Sequence, residues 1–450
     1  MSTVIQESHS KTYEKSGVDL YSFFAKPSAY VLSTLILTGL SSATTLAAPA
    51  LLTTEQFASF VLLASFFQLA ARLDFGLSEL ADRYGHSCEN AHEQSNQLLQ
   101  ARWLIALILM PFITLLSFVV SRYNSLLSPL DLLLALCGGL LAMIAVGPVT
   151  VSRAKNNIKD FAILALTLQL GMTVPRLIGL AIGGTTGCYL ALSLWYFAFA
   201  AQSWRTLRFD TSKWKEMIAP LRQSLPLFLC ALMWLCTQFM PRWVSASISS
   251  QHDFAQLAFA FNLIALATGT LTTIGQAYYP RYLVLHREQK KATLQNLIWK
   301  DLLILVCGSF VGIAIILPLI PYGLHLLYPR YYEARAETLI MVISLLPLVA
   351  TLWFVPFILA ISRHPLRSIG LLTLPTALSV IILMTMFYRL FGVEGQVLAV
   401  LVSSFIPILA FAWILKALDL STRLRVLEIV SLIALLTLTL VGEAHWIMSA

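Results

Sequence analysis

Stretches of about 20 mainly apolar residues, divided by short polar segments, recur from Ser28 almost to the C-terminus. Each is long enough to cross a hydrocarbon core of about 30 Å as a helix. Windows of about 19 residues place spans near 28–48, 56–80, 98–120, 131–152, 160–182 and 188–204. A second set follows near 223–246, 253–280, 298–320, 337–361, 369–388 and 396–416, with a further apolar run from Val426 to Val441. The runs are too long and too evenly apolar for barrel strands. The pattern therefore predicts an all-α polytopic membrane protein of about 12 to 13 transmembrane helices in two pseudo-symmetric six-helix lobes.

The division into lobes rests on an internal repeat. Setting EQFASFVLLASFFQLA (from Glu55) over HDFAQLAFAFNLIALA (from His252) pairs Phe57 with Phe254, Ala58 with Ala255, Leu69 with Leu266 and Ala70 with Ala267. Setting GTTGCYLAL (from Gly184) over GVEGQVLAV (from Gly392) pairs Gly184 with Gly392 and Gly187 with Gly395, at the entrance to the last span of each half. Glycine there permits a tight turn and close helix packing. The expected organisation is a cytoplasmic tail over 1–27, a lobe over 28–204, a basic cytoplasmic linker over 205–222, a second lobe over 223–417, and a segment over 418–450 holding an extra helix.

Composition agrees with this reading, because 58% of the residues are apolar, only 12% are charged and the mean hydropathy is +0.78, which excludes a water-soluble fold. The formal charge of +8 does not imply nucleic acid once its distribution is followed. With the N-terminus cytoplasmic, Arg153, Lys155 and Lys159, then Arg205 to Arg222, Arg281 to Lys291, and Arg363 with Arg367 all fall in cytoplasmic loops. The opposite loops carry little beyond Arg122, Arg330, Arg335 and Arg389, and Trp103, Trp204, Trp299 and Trp413 fall at cytoplasmic span ends. The first 27 residues lack the positive start and short apolar core of a cleavable signal. The six cysteines show no CxxC or Cys/His spacing, so neither a structural disulfide nor a metal is expected, and nothing calls for a cofactor.

The segment RLDFGLSELADRYG, residues 72–85, puts Arg72, Asp74 and Glu79 where the second span should still be crossing. The apolar run before it, Phe57 to Ala71, gives only about 22 Å of helix. The helix is therefore expected to continue through LDFGL, with Gly76 as a break. Ionisable groups at such depth pair or line a pathway; otherwise Arg72 snorkels to headgroups and Asp74 caps the next segment. In the repeat, Thr268, Thr270, Thr272, Thr273 and Gln276 reach corresponding depths, lining a pathway or bonding helix to helix. Arg176 lies about 24 Å along span five and Arg242 about 28 Å along span seven. Neither of these spans offers an acid to neutralise its arginine, so a cationic interior suited to anionic cargo is expected, with Asp74 positioning Arg72. GLAIG from Gly179 reads as a packing motif, and residues 321–337 as an amphipathic stretch at the outer interface. No HExxH, Walker A, nucleophile elbow or paired-carboxylate pattern is readable, so an enzyme is not expected.

LLTTEQFASFVLLASFFQLAARLDFGLSELADRYG, with LLYPRYYEARAETLI and FGVEGQVLAVLVSS, resembles the Wzx-type oligosaccharide-lipid (O-antigen and polysaccharide) flippases of the multidrug/oligosaccharidyl-lipid/polysaccharide (MOP) exporter superfamily, over residues 25–417. The resemblance implies a bacterial inner-membrane protein that moves a polyprenyl-pyrophosphate-linked oligosaccharide to the periplasmic leaflet by alternating access. Membrane lipids, a polysaccharide polymerase and the chain-length machinery would be its partners. Carried over by residue, the LDFGL match points to Asp74 and Gly76, with Arg72 facing the cavity; Arg176 and Arg242 match by location only. The same superfamily includes multidrug antiporters, for which Asp74 or Glu79 would be a proton site. SELADRYGH, residues 78–86, resembles a loop of major facilitators, but Ser78 stands where that loop has glycine. The scarcity of aromatics expected in the cavity-facing parts of spans two and eight favours a saccharide over hydrophobic drugs.

Overall fold

Apolar runs of this length leave helices as the only way to satisfy every backbone group in lipid, and all regular structure among the described residues is helical. The computed structural model describes Gly39 and residues 42–78, 91–124, 126–154, 158–206, 214–362, 364–418 and 423–449. Helix α1 covers 42–51. It is followed by α2 (Thr54–Ala71), α3 (Ala91–Tyr123), α4 (Pro129–Ala145), the short α5 (Gly147–Ala154) and α6 (Ile158–Thr206). The chain continues with α7 (Trp214–Ile248), α8 (Gln251–Arg287), α9 (Lys291–Ile316), α10 (Leu319–Leu327) and a 3-10 turn (Pro329–Ala334). Last come α11 (Arg335–Ile343), α12 (Leu345–Ile361), α13 (Pro365–Ser403), α14 (Phe405–Ala417) and α15 (Arg423–Ser449).

Eight of the described helices are long and apolar enough to cross a membrane, or nine if the bent pair Pro329–Ile343 and Leu345–Val355 is one span. Two of them contain a reversal. Gly184 (φ 57°, ψ −140°) and Gly392 (φ 64°, ψ −141°) break α6 and α13 with the same left-handed geometry. Residues eight apart in a continuous helix would stand about 12 Å apart. A Cβ on Gly187 would nevertheless run into the carbonyl of Gly179, and one on Gly395 into the carbonyl of Phe387. Each glycine therefore turns its helix into a hairpin of two spans, at the positions the repeat pairs. Helix α15 supplies a further apolar segment, Glu428–Met448, which packs on α9, α11, α12 and α14.

Helix α2 starts on a capping box: the Thr53 hydroxyl accepts from the Gln56 N–H and the Gln56 side chain accepts from the Thr53 N–H, both at 3.3 Å. Its far end departs from the expectation. The helix stops at Ala71 and does not continue through LDFGL. The Asp74 carboxylate takes the N–H groups of Gly76 (3.1 Å) and Ser78 (3.0 Å), and this side-chain competition for backbone donors replaces the helical ladder with a turn. Gly76 is a break, as expected, yet it is the fourth residue of one that begins at Leu73, and Phe75 and Gly76 both have positive φ (53° and 79°).

Helix α2 packs on α4, α7 and α8, and α8 on α12, so α2 and α8 bring the two halves together. Trp103 and Trp204, expected at one membrane face, meet edge to face at 4.9 Å. Residues 321–337 are more than an interfacial stretch. The Tyr328 hydroxyl donates to the Leu46 carbonyl of α1 (2.7 Å), and the buried Tyr331 ring lies between Phe57 of α2 (5.6 Å) and Phe259 of α8 (5.2 Å).

Candidate substrate cavity

A cavity of about 420 Å³ lies between α2 and the helices of the second half, α7, α8, α12, α13 and α14. Helix α2 contributes Gln68, Ala71 and Arg72, which fall on one helical face because they are three and four residues apart. Arg72 is exposed to this space at the helix end. Arg242 enters from α7, only 5% exposed, with Nη2 donating to the Phe261 carbonyl at 3.0 Å and its guanidinium 5.4 Å from the Phe239 ring. It does not snorkel to an interface. Trp243 beside it donates to the Ser65 hydroxyl of α2 at 2.8 Å, which fixes the level of Arg242 against α2. Arg72 lies seven residues further along, so the two cations sit about 10 Å apart along the helix axis.

The rest of the lining is largely apolar and carries neutral polar groups. The hydroxyls of Thr237, Ser344, Thr376 and Ser403 donate to carbonyls of their own helices (Met233, Met341, Leu372 and Val400) at 2.6 to 3.0 Å. Their protons are thereby committed, and their oxygens present lone pairs that accept from a hydroxylated ligand. No carboxylate is among the described lining residues. Aromatic faces are not scarce: Trp234 and Phe239 of α7, with Phe261 of α8, also line the space. Among the described lining residues α2 supplies no aromatic and α8 only Phe261, so the rings come mainly from α7, about which the expectation for spans two and eight said nothing.

The other candidates fall elsewhere. Asp74 does not hold Arg72. Its Oδ2 accepts from Arg102 Nη2 at 3.0 Å and from the Ser78 hydroxyl at 2.5 Å, and the pair is buried. The reason is the turn that starts after α2: it directs Asp74 back into the first half, onto Arg102, while Arg72 at the helix end faces the cavity. Arg102 escaped the sequence reading although it lies inside the third expected span, where the rule that marked Arg176 applies equally. Arg176 is not among the cavity lining. It sits in the first half, 5.1 Å from the Phe60 ring and beside Cys188, Tyr189 and Tyr196, and its Nε has no hydrogen-bond partner among the described residues. Thr268 lines the cavity; Thr272 and Gln276 continue the same helix, and their side chains, like all of Glu79, lie outside the described residues.

The fold is similar to a structure named lipid II flippase MurJ, in an inward closed conformation, with TM-score 0.64, 15% identity and 91% of each chain covered. It is also similar to an inward-facing multidrug resistance MATE transporter of the MOP superfamily (TM-score 0.59, 15% identity, 87% of this chain and 94% of that one). A MOP superfamily transporter from Pyrococcus furiosus matches at TM-score 0.53 and 14% identity, over 92% of this chain and 99% of that one. No curated protein matches the chain in sequence. The resemblance of residues 78–86 to a major-facilitator loop is thus not accompanied by that fold. Residues 24–286, more than half the chain, match the family described as polysaccharide biosynthesis protein, and with the helical architecture above the chain belongs to that family and has the MOP transporter fold.

Proposed function

We propose that this protein is a flippase that carries a polyprenyl-pyrophosphate-linked oligosaccharide from the cytoplasmic to the periplasmic leaflet of a bacterial inner membrane, its N-terminus cytoplasmic. The observation that carries the reading is a cavity with two arginines and no carboxylate among its described lining residues, in a chain of the polysaccharide biosynthesis family. Guanidinium forks match phosphate oxygens, hydroxyl oxygens accept from sugar hydroxyls, and the ring faces suit the apolar faces of sugars. The similarity to a protein named as a lipid II flippase supports a lipid-linked cargo. No bond is made or broken. The lobes over 28–204 and 223–417 rock about the cavity, opening it to each side in turn.

The test is loss of the gene, followed by complementation. A surface glycan should disappear and return with the wild-type chain, whereas Arg72→Ala and Arg242→Ala should restore little of it per molecule in the membrane. The aromatic faces of α7 favour a second reading, a multidrug transporter. Unchanged glycan together with new drug sensitivity would select it.

A further inference from the structure

We propose that Arg102 is a positioning residue for transport: acting through Asp74, it holds the 73–78 turn in the one conformation that keeps Arg72 on the cavity. The proposal rests on the flippase reading only for the use it gives Arg72. The turn is an unfavourable piece of backbone, with Phe75 and Gly76 successively at positive φ. What holds it is the Asp74 carboxylate, which accepts from the N–H groups of Gly76 and Ser78 and from the Ser78 hydroxyl. A buried carboxylate needs a cationic partner, and Arg102 of α3 supplies it. Its Nη2 reaches Asp74 (3.0 Å) and the Ser78 hydroxyl (2.6 Å), and its Nη1 donates to the Met143 carbonyl of α4 (3.3 Å). One guanidinium thus ties the turn to α3 and α4. On its other side the turn meets the second half, where Phe75 stacks on Phe228 at 4.8 Å. Arg72 is the last residue before this clamp, so the direction in which its side chain leaves α2 is set by the turn.

The measurement is the rate at which a small water-soluble methanethiosulfonate modifies a cysteine at position 72 (Arg72→Cys) in the full-length chain, each site read by peptide mapping. Gln238→Cys, on α7 in the same cavity, is the internal control. Adding Arg102→Met should slow labelling at 72 severalfold and leave 238 unchanged, while Arg102→Lys should restore part of the rate. Asp74→Asn should reproduce the Met result if Arg102→Met does not fold. Unchanged labelling at 72, or an equal fall at both positions, would overturn the proposal, because general loosening moves both. In complemented cells, Arg102→Met should lower glycan export per molecule as far as Arg72→Ala does. Slower labelling at 72 with normal export would leave the positioning role standing and remove Arg72 from the flippase reading.

Discussion

Replacing Gly76 by alanine should destabilise the protein by about 2 to 5 kcal/mol. The backbone at 76 has φ +79°, and a Cβ there would lie 2.6 Å from the Ser224 carbonyl oxygen and 2.8 Å from the Phe228 nitrogen, both main-chain atoms of α7. The left-handed conformation costs a residue with a Cβ roughly 1 to 2 kcal/mol. Because neither contacted atom is the end of a flexible side chain, relief requires α2 and α7 to part, an overpacking cost of about 1 to 3 kcal/mol. Gly308→Ala is the matched control: it sits inside α9 with nothing within 4 Å of the added carbon, and should gain up to about 1 kcal/mol from helix propensity. Unfolding free energies in mixed micelles, measured side by side, decide. A Gly76→Ala protein within about 0.5 kcal/mol of wild type would refute the close approach of the turn to α7.

Lys213→Cys, in the linker expected over 205–222, should stay unlabelled by a membrane-impermeant reagent applied from the periplasm; labelling there would overturn the proposed orientation. Arg242→Lys should keep part of the export per molecule, because the charge remains while the fork is lost, with Arg242→Ala lower and Arg242→Glu lowest. Arg176→Ala should lose most export and Arg176→Lys only part, as expected of a cation whose field reaches the pathway; full export from Arg176→Ala would confine this residue to packing under Phe60.

Much of the fold was legible because its determinants are local. Hydropathy marks crossing segments through their length alone, and the glycines at 184 and 392 announce reversals because a left-handed residue is needed there. The end of α2 was not legible in this way. Whether LDFGL continues a helix depends on which donors the Asp74 carboxylate captures, and that in turn depends on Arg102, 28 residues away. The candidate site shows the same division. Depth along a span found Arg72 and Arg242, while Arg176 meets α2 at Phe60 from within the first half and stays off the cavity lining, an arrangement of neighbouring helices that no count along one helix contains.

The repeat suggests a last experiment. Its alignment pairs Gln68, Ala71 and Arg72 of α2 with Ala265, Thr268 and Gly269 of α8, and all six line the cavity. The scaffold therefore repeats while the charge does not, since an arginine on one side faces a glycine on the other. If the cavity needs positive charge at that depth and not a particular helix to bear it, Gly269→Arg should restore part of the export lost in Arg72→Ala. Position 269 has room, with nothing within 4 Å of an added Cβ. Gly269→Leu in the same background separates the causes, because it shares the helical gain of about 0.8 to 1 kcal/mol over glycine but brings no charge. Export should rise with arginine and stay low with leucine. Equal export from the two would show that position 269 acts through helix stability, and no gain from either would show that Arg72 is needed where the 73–78 turn places it.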